Sequence, residues 1–146
     1  MTVVAGYELA DLLALRDLSR DELEARFDGV ETDPNVRYER IEPVDRLHSD
    51  AFPGHFYFRG DELALLYIPR SALRDAGLGE LARELGEPAA TLSSRTGEDS
   101  TLYVYPGRGV AFASDGEQVE ILELFPPTTR EAYEAGIYDP PPERIR

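Results

Sequence analysis

Residues 55–68 read His55-Phe56-Tyr57-Phe58-Arg59-Gly60-Asp61-Glu62-Leu63-Ala64-Leu65-Leu66-Tyr67-Ile68 and decide the fold of this chain. Two runs rich in aromatic and branched apolar residues flank Gly60-Asp61, a pair that is typical of a two-residue hairpin turn. The stretch therefore predicts antiparallel strands over 55–58 and 63–68, and Pro69 ends the second strand because proline cannot donate to a sheet ladder.

The second half of the chain repeats this hairpin chemistry. Strands are expected over 90–94, 101–105, 110–113 and 119–125, with turns at Pro106-Gly107 and Asp115-Gly116. The segment 30–53 is polar and rich in proline, and we expect only one strand inside it, between Val36 and Ile41. The antiparallel hairpins indicate a sheet built as a meander.

Helices are expected around these strands. Leucine spacing predicts one over 7–18, and the capping box from Ser19 to Glu22 opens a second that stops at Gly29. Shorter helices are expected over 71–76 and 80–85, and a second capping box at 128–131 opens one that reaches Ala135.

The two halves share the order of their elements at an offset of about 55 to 59 residues. We therefore expect an α+β fold of two similar units, each a helix followed by an antiparallel meander, with the helices on one face of the sheet. The units cover about 19–77 and 78–138, the N-terminal helix covers 7–18, and together they form a single domain over 1–138 with a flexible tail over 139–146. The alternative is that the two halves are not a repeat and look alike only because any two antiparallel meanders share the same hairpin chemistry.

The helix that ends at Leu85-Gly86-Glu87-Pro88 resembles the small lipoprotein assembly factors of the SmpA/OmlA type. In its tandem form the pattern is similar to the beta-lactamase inhibitor protein family, and the matching residues are Tyr103, Val110, Phe112, Asp115, Gly116, Val119 and Ile121. The resemblance implies helices on one face of a curved antiparallel sheet whose other face binds another protein.

Composition excludes several classes of protein. The chain has 146 residues, 42% of them hydrophobic, so it can bury a core. It has 29 acidic and 15 basic residues, and every basic residue is arginine. The resulting net charge of -14 disfavours nucleic acids and anionic membranes as partners. The absence of cysteine excludes disulfides and thiol catalysis.

Two interpretations of the acidity stay open. Because the carboxylates are spread along the chain and lysine is missing, adaptation to high intracellular salt is favoured. The alternative is an acidic function, such as mimicry of DNA or docking to a basic partner. The N-terminus does not resemble a signal peptide, which favours a cytoplasmic location.

The candidate metal ligands are His48, Asp50 and His55, the two histidines of the chain and a nearby carboxylate. If they converged, they could serve a small metal-dependent hydrolase. The simpler expectation is that one histidine lies in a loop, the other lies in a strand, and the two never meet. We therefore expect no enzymatic activity, no bound metal and no cofactor.

Tyrosine and arginine offer a different candidate site. Strand alternation predicts that the helices cover Phe56, Phe58, Leu102, Val104, Val110 and Phe112. The open face would then carry Tyr57, Arg59, Tyr103, Tyr105 and Arg108, residue types that are enriched at binding hot spots. The sequence thus favours a regulatory, inhibitory or assembly module that binds another protein or a second copy of itself.

Overall fold

The computed structural model describes residues 2–97 and 99–141. Its helices are α1 (Leu9–Ala14), α2 (Arg20–Arg26), α3 (Leu78–Leu85) and α4 (Arg130–Gly136), with short 3-10 turns at Leu15–Asp17, Arg70–Ala72 and Pro106–Arg108. Its strands are β1 (Val3–Val4), β2 (Tyr7–Glu8), β3 (Glu31–Tyr38), β4 (Ile41–Ser49), β5 (Phe52–Arg59), β6 (Glu62–Ile68), β7 (Ala90–Ser93), β8 (Thr101–Tyr105), β9 (Val110–Ser114) and β10 (Val119–Leu124).

An eight-stranded sheet in the order β3-β4-β5-β6-β10-β9-β8-β7 forms the centre of the protein. Each half is a four-stranded antiparallel meander, and the last strands of the two meanders, β6 and β10, pair with each other. The hairpin predicted from residues 55–68 is confirmed as β5 and β6, with Phe56 opposite Leu66 and Arg59 opposite Glu62 beside the turn. The α+β class and the antiparallel sheet are therefore confirmed.

The segment 30–53 differs from the prediction. It forms two full strands, β3 and β4, where one short strand was expected. The prolines in this segment argued against strands. Pro34 lies in β3, which is an edge strand and so tolerates a residue that cannot donate a ladder hydrogen bond. In β4, the buried residues Val44 and Leu47 fix the strand to the core despite Pro43.

Most predicted helices are present, with shifted bounds. The capping box is confirmed, since the Ser19 hydroxyl accepts from the Glu22 amide while the Glu22 carboxylate accepts from the Ser19 amide. The helix expected over 71–76 is only the 3-10 turn Arg70–Ala72. The one expected over 7–18 is divided between β2, α1 and the first 3-10 turn.

One face of the sheet packs against α1, α2 and α3. Leu12, Leu23 and Leu81 from these three helices share a buried cluster with Phe56 and Phe112 of the sheet. The aromatic rings of Phe27 and Phe52 lie 5.3 Å apart inside this cluster. Burial of this apolar surface is the main contribution to stability on the helix-covered face.

The expectation that all helices lie on one face is wrong, because α4 packs on the opposite face. Tyr133 of α4 belongs to a second buried cluster with Phe125, Ala111 and Ala113, and its ring lies 5.1 Å from that of Phe125. The small alanine side chains of β9 leave room over the sheet for the α4 tyrosine. Part of the face that was expected to be open is therefore covered.

The predicted tail over 139–146 lies partly outside the described residues. Asp139 is described, and its carboxylate Oδ2 lies 3.7 Å from Nη2 of Arg37, at the end of β3. The segment after α4 thus runs close to the first meander at this point.

Arg16 connects the N-terminal region to the sheet. Its Nη1 donates to the carbonyl oxygens of Arg108, Gly109 and Phe125, at 2.5, 3.2 and 3.1 Å. Gly109 has φ 69°, and a Cβ there would lie 2.1 Å from the Phe125 carbonyl oxygen. Only glycine therefore allows the turn before β9 to approach the end of β10 this closely.

Gly109→Ala is expected to destabilise the protein more than Gly60→Ala. Both positions have positive φ, 69° and 64°, but a Cβ at Gly60 meets nothing within 4 Å. Gly60→Ala should cost about 1–2 kcal/mol from backbone strain alone, and Gly109→Ala should cost more because the clash with Phe125 is added. Denaturant unfolding of both variants measures the difference, and equal costs would contradict the close approach.

Candidate functional site

The α4-side face of the sheet carries a buried carboxylate. Glu123 lies on β10 and is 3% exposed. The hydroxyl of Tyr133, from α4, donates to Glu123 Oε1 at 2.5 Å, and the hydroxyl of Tyr38, from the end of β3, donates to Oε2. One side chain of a central strand therefore holds both α4 and the tip of the β3–β4 hairpin.

A second carboxylate lies beside this group. Glu39, with φ 52°, turns its side chain inward, and its buried Oε1 lies against Nε of Arg95. The guanidinium of Arg95, from the β7–β8 loop, forms an ion pair with Glu39 and lies 5.8 Å from the ring centre of Tyr38. The β3–β4 turn and the β7–β8 loop thus meet across the face. We refer to Tyr38, Glu39, Arg95, Glu123 and Tyr133 as the carboxylate cluster.

Burial governs ionisation in the carboxylate cluster. It raises the pKa of Glu123 above its ordinary value, although the hydrogen bonds from Tyr133 and Tyr38 act in the opposite direction. It also raises the pKa of Glu39, against the charge of Arg95. A cavity of about 20 Å³ remains between Glu39, Glu123 and Tyr133, which is room for about one water molecule rather than an organic substrate.

Next to the carboxylate cluster, the same face carries half-exposed polar residues. Asp33 of β3 lies opposite Arg46 of β4, and His55 of β5 lies opposite Tyr67 of β6. The ring centres of His48 and His55 are 5.9 Å apart, and those of His55 and Tyr67 are 6.3 Å apart. We call Asp33, Arg46, His48, His55 and Tyr67 the polar band.

Asp33 organises one end of the polar band. Its Oδ2 accepts from Nε and Nη2 of Arg46, at 3.0 and 2.8 Å, and lies 3.2 Å from Nε2 of His48. The hydrogen bond from Arg46 is the main reason that the pKa of Asp33 is lowered, with the charge of Arg46 and His48 adding to it. The pKa of His55 is lowered mainly by burial and then by the charge of Arg46, which favours its neutral form.

The five residues predicted for a binding face do not form one surface. Tyr57 lies on the α4 side but is only 5% exposed, and Arg59 is exposed beside a groove of about 320 Å³ that Glu62 and Ile137 also line. Tyr103, Tyr105 and Arg108 are elsewhere, so the expected grouping is wrong.

The error lies in the alternation of β8. Tyr103 pairs with Phe112 and Tyr105 pairs with Val110, so both tyrosines face the helix-covered side. The Tyr105 hydroxyl donates to the Gly86 carbonyl at 3.0 Å, and Arg108 Nη1 donates to the Glu84 carbonyl at 2.9 Å. Leu102 and Val104, expected under the helices, belong to the α4-side cluster instead. The turn expected at Pro106-Gly107 is a four-residue connection with a 3-10 turn over Pro106–Arg108, and this connection pairs Tyr105 with Val110.

The structure brings two of the three candidate metal ligands together. His48 and His55 are neighbours, whereas Asp50 lies exposed in the turn after β4, and the carboxylate that reaches His48 is Asp33. Asp33 was missed because no strand was expected there. Across residues 2–97 and 99–141, no three histidine or acidic side chains converge as a metal site.

Comparison with protein-family models, curated proteins and solved structures gives no match for this chain. Within the part of the chain that the structure describes, every helix is too short or too polar to cross a lipid bilayer.

Glu123→Gln is expected to change how stability depends on pH. Because the folded-state pKa of Glu123 is raised, both states are protonated at low pH and ionisation costs nothing there. As the pH rises above about 4.3 the unfolded chain ionises first, so the wild-type protein loses stability relative to the variant until the folded-state pKa is passed. Unfolding free energies of both proteins across this range test the sign, and a constant difference would contradict it.

Tyr133→Phe should cost about 1–3 kcal/mol, because it leaves the buried carboxylate of Glu123 with one partner fewer. Tyr138→Phe is the matched control, since its hydroxyl donates to the Ser93 carbonyl at the exposed sheet edge, at 2.7 Å, and should cost about 1 kcal/mol or less. Denaturant midpoints measured in molar potassium chloride compare the two. A smaller loss for Tyr133→Phe would argue against the carboxylate cluster as a stabilising contact.

Proposed function

We propose that this chain is a non-enzymatic module that binds another protein through the polar band. The observation that carries the proposal is the continuous row of half-exposed side chains from Asp33 to Tyr67 on the α4-side face. Arginine, histidine and tyrosine lie there beside the buried apolar cluster of the same face.

The polar band is suited to recognition because its side chains are already ordered. Arg46 is held by two hydrogen bonds to Asp33, and His48 contacts the same carboxylate. A partner that docks here would order fewer side chains than on a surface of free arginines, which lowers the entropic cost of binding. Tyrosine and arginine are also the residue types that contribute most at interface centres.

Charge favours the same surface. The chain carries a net charge of -14, and like charges repel a second acidic protein over most such surfaces. In the polar band Arg46 balances Asp33, and the two histidines add no negative charge. An acidic or neutral partner can therefore approach here, and a second copy of this chain is one such partner.

We further infer that the two meanders are a tandem repeat, as the resemblance to the beta-lactamase inhibitor protein family implies. Adding 56 to both members of the pair Phe56–Leu66 gives Phe112–Leu122, which is a pair of the second meander. The same shift turns Leu47–Phe56 into Tyr103–Phe112. Shared registers support a duplication more than shared turns do, because turn chemistry alone does not fix pairing over three strands.

Salt adaptation is the proposed reason for the acidity, together with a cytoplasmic location. A high concentration of potassium chloride would screen the repulsion among the 29 carboxylates, which is strong in dilute buffer. On this proposal the negative charge is an adaptation to a salt-rich solvent, and the polar band is the surface that binds the partner.

Affinity capture from the native host in molar potassium chloride tests the proposed function. The bait is the intact chain, compared with the double variant His55→Ala and Tyr67→Ala, which removes two half-exposed side chains of the polar band. Arg83→Ala is the control, because Arg83 is exposed on α3, a helix of the opposite face. We expect a partner to be retained by wild type and control and lost by the double variant.

Sedimentation of the purified chain distinguishes a second copy from a different protein. Equal retention by all three baits would place the interface elsewhere and contradict the proposal. Folding of the double variant is checked by circular dichroism, so that a loss of capture is not a loss of structure.

A further inference from the structure

The two histidines of the chain are neighbours in space. His48 on β4 and His55 on β5 lie on adjacent strands, with ring centres 5.9 Å apart and planes inclined by 61°. Both are half-exposed on the α4-side face, at the solvent side of the polar band. These are the only two histidines in the sequence, and they lie side by side.

Their separation suits a shared metal ion. With metal–nitrogen bonds of about 2.0–2.1 Å, two imidazoles on one ion have ring centres about 5–6 Å apart. The observed 5.9 Å falls in that range. Adjacent antiparallel strands hold the two Cβ atoms at a fixed distance, so both imidazoles can reach one ion by rotating about their side-chain bonds.

Asp33 prepares His48 for coordination. Its carboxylate lies 3.2 Å from Nε2 of His48, and a proton held there leaves the lone pair on Nδ1 for a metal. A carboxylate behind a ligating histidine in this way fixes the tautomer and the orientation of the ring. The carboxylate also balances the charge of Arg46, which lies beside it.

We propose that His48 and His55 bind one divalent transition ion of the zinc, copper or nickel class, with water in the remaining positions. Imidazole is a ligand that these ions prefer, whereas magnesium and calcium prefer oxygen ligands. The site needs no partner protein and so stands apart from the proposed function. Asp33 is a positioning residue, and no reaction is assigned to the ion.

Zinc titration of the intact chain tests the site. The chain offers two imidazoles, so their carbon-bound ring protons give an NMR readout in the wild-type protein that does not depend on any variant folding. We expect zinc to shift both histidines together and to saturate at one ion per chain, while magnesium at the same concentration leaves both unshifted.

Calorimetry with variants then assigns the ligands. His48→Gln and His55→Gln should each weaken zinc binding by about tenfold or more, and Asp33→Asn by about tenfold. Asp50→Asn is the control for general attraction to carboxylates, because Asp50 is exposed and close in sequence, and it should leave the affinity unchanged. Unshifted histidines in the wild-type protein, or a loss in Asp50→Asn equal to that in the histidine variants, would overturn the proposal.

Discussion

Three residue pairs between β6 and β10 hold the two meanders in one sheet: Leu122 with Ile68, Glu123 with Tyr67, and Leu124 with Leu66. The leucines and Ile68 contribute to the buried cluster under α1, α2 and α3. Glu123 projects to the other side, where it accepts from the hydroxyls of Tyr38 and Tyr133. One short strand pairing thus links both meanders, three helices on one face and α4 on the other.

The polar band depends on this pairing. Tyr67, the last residue of the polar band, lies opposite Glu123 on one side and opposite His55 on the other. The ring of Tyr38 lies 5.5 Å from that of Tyr67, so the carboxylate cluster and the polar band are in contact. A buried carboxyl group that is held by hydrogen bonds from two elements resists displacement, since each lost partner leaves a buried polar atom unsatisfied. That rigidity explains how a half-exposed row of polar side chains keeps its geometry.

Local chemistry made much of the fold predictable, while long-range register made the site hard to predict. The Gly60-Asp61 turn, the Ser19 capping box and most of the strands follow from residues close together in sequence. The side of the sheet that Tyr103 faces depends on its pairing with Phe112, and a shift of one residue reverses it. The contact between Asp33 and His48 requires strand β3, which the prolines argued against. The hydrogen bond between Tyr38 and Glu123 joins residues that are 85 positions apart in the sequence. The Gly60-Asp61 turn alone would place Leu66 opposite His55, so the position of Tyr67 depends on the register shift between Tyr57 and Phe58.

Native-state hydrogen exchange in molar potassium chloride tests most directly whether β6 and β10 join the meanders into one cooperative unit. The account predicts that amides in the paired segments 66–68 and 122–124 exchange only through global unfolding, with the same free energy in both strands. If the amides of β10 exchange through a smaller opening while β4, β5 and β6 stay protected, the two meanders unfold separately. That result would contradict the dependence of the polar band on the pairing of Tyr67 with Glu123.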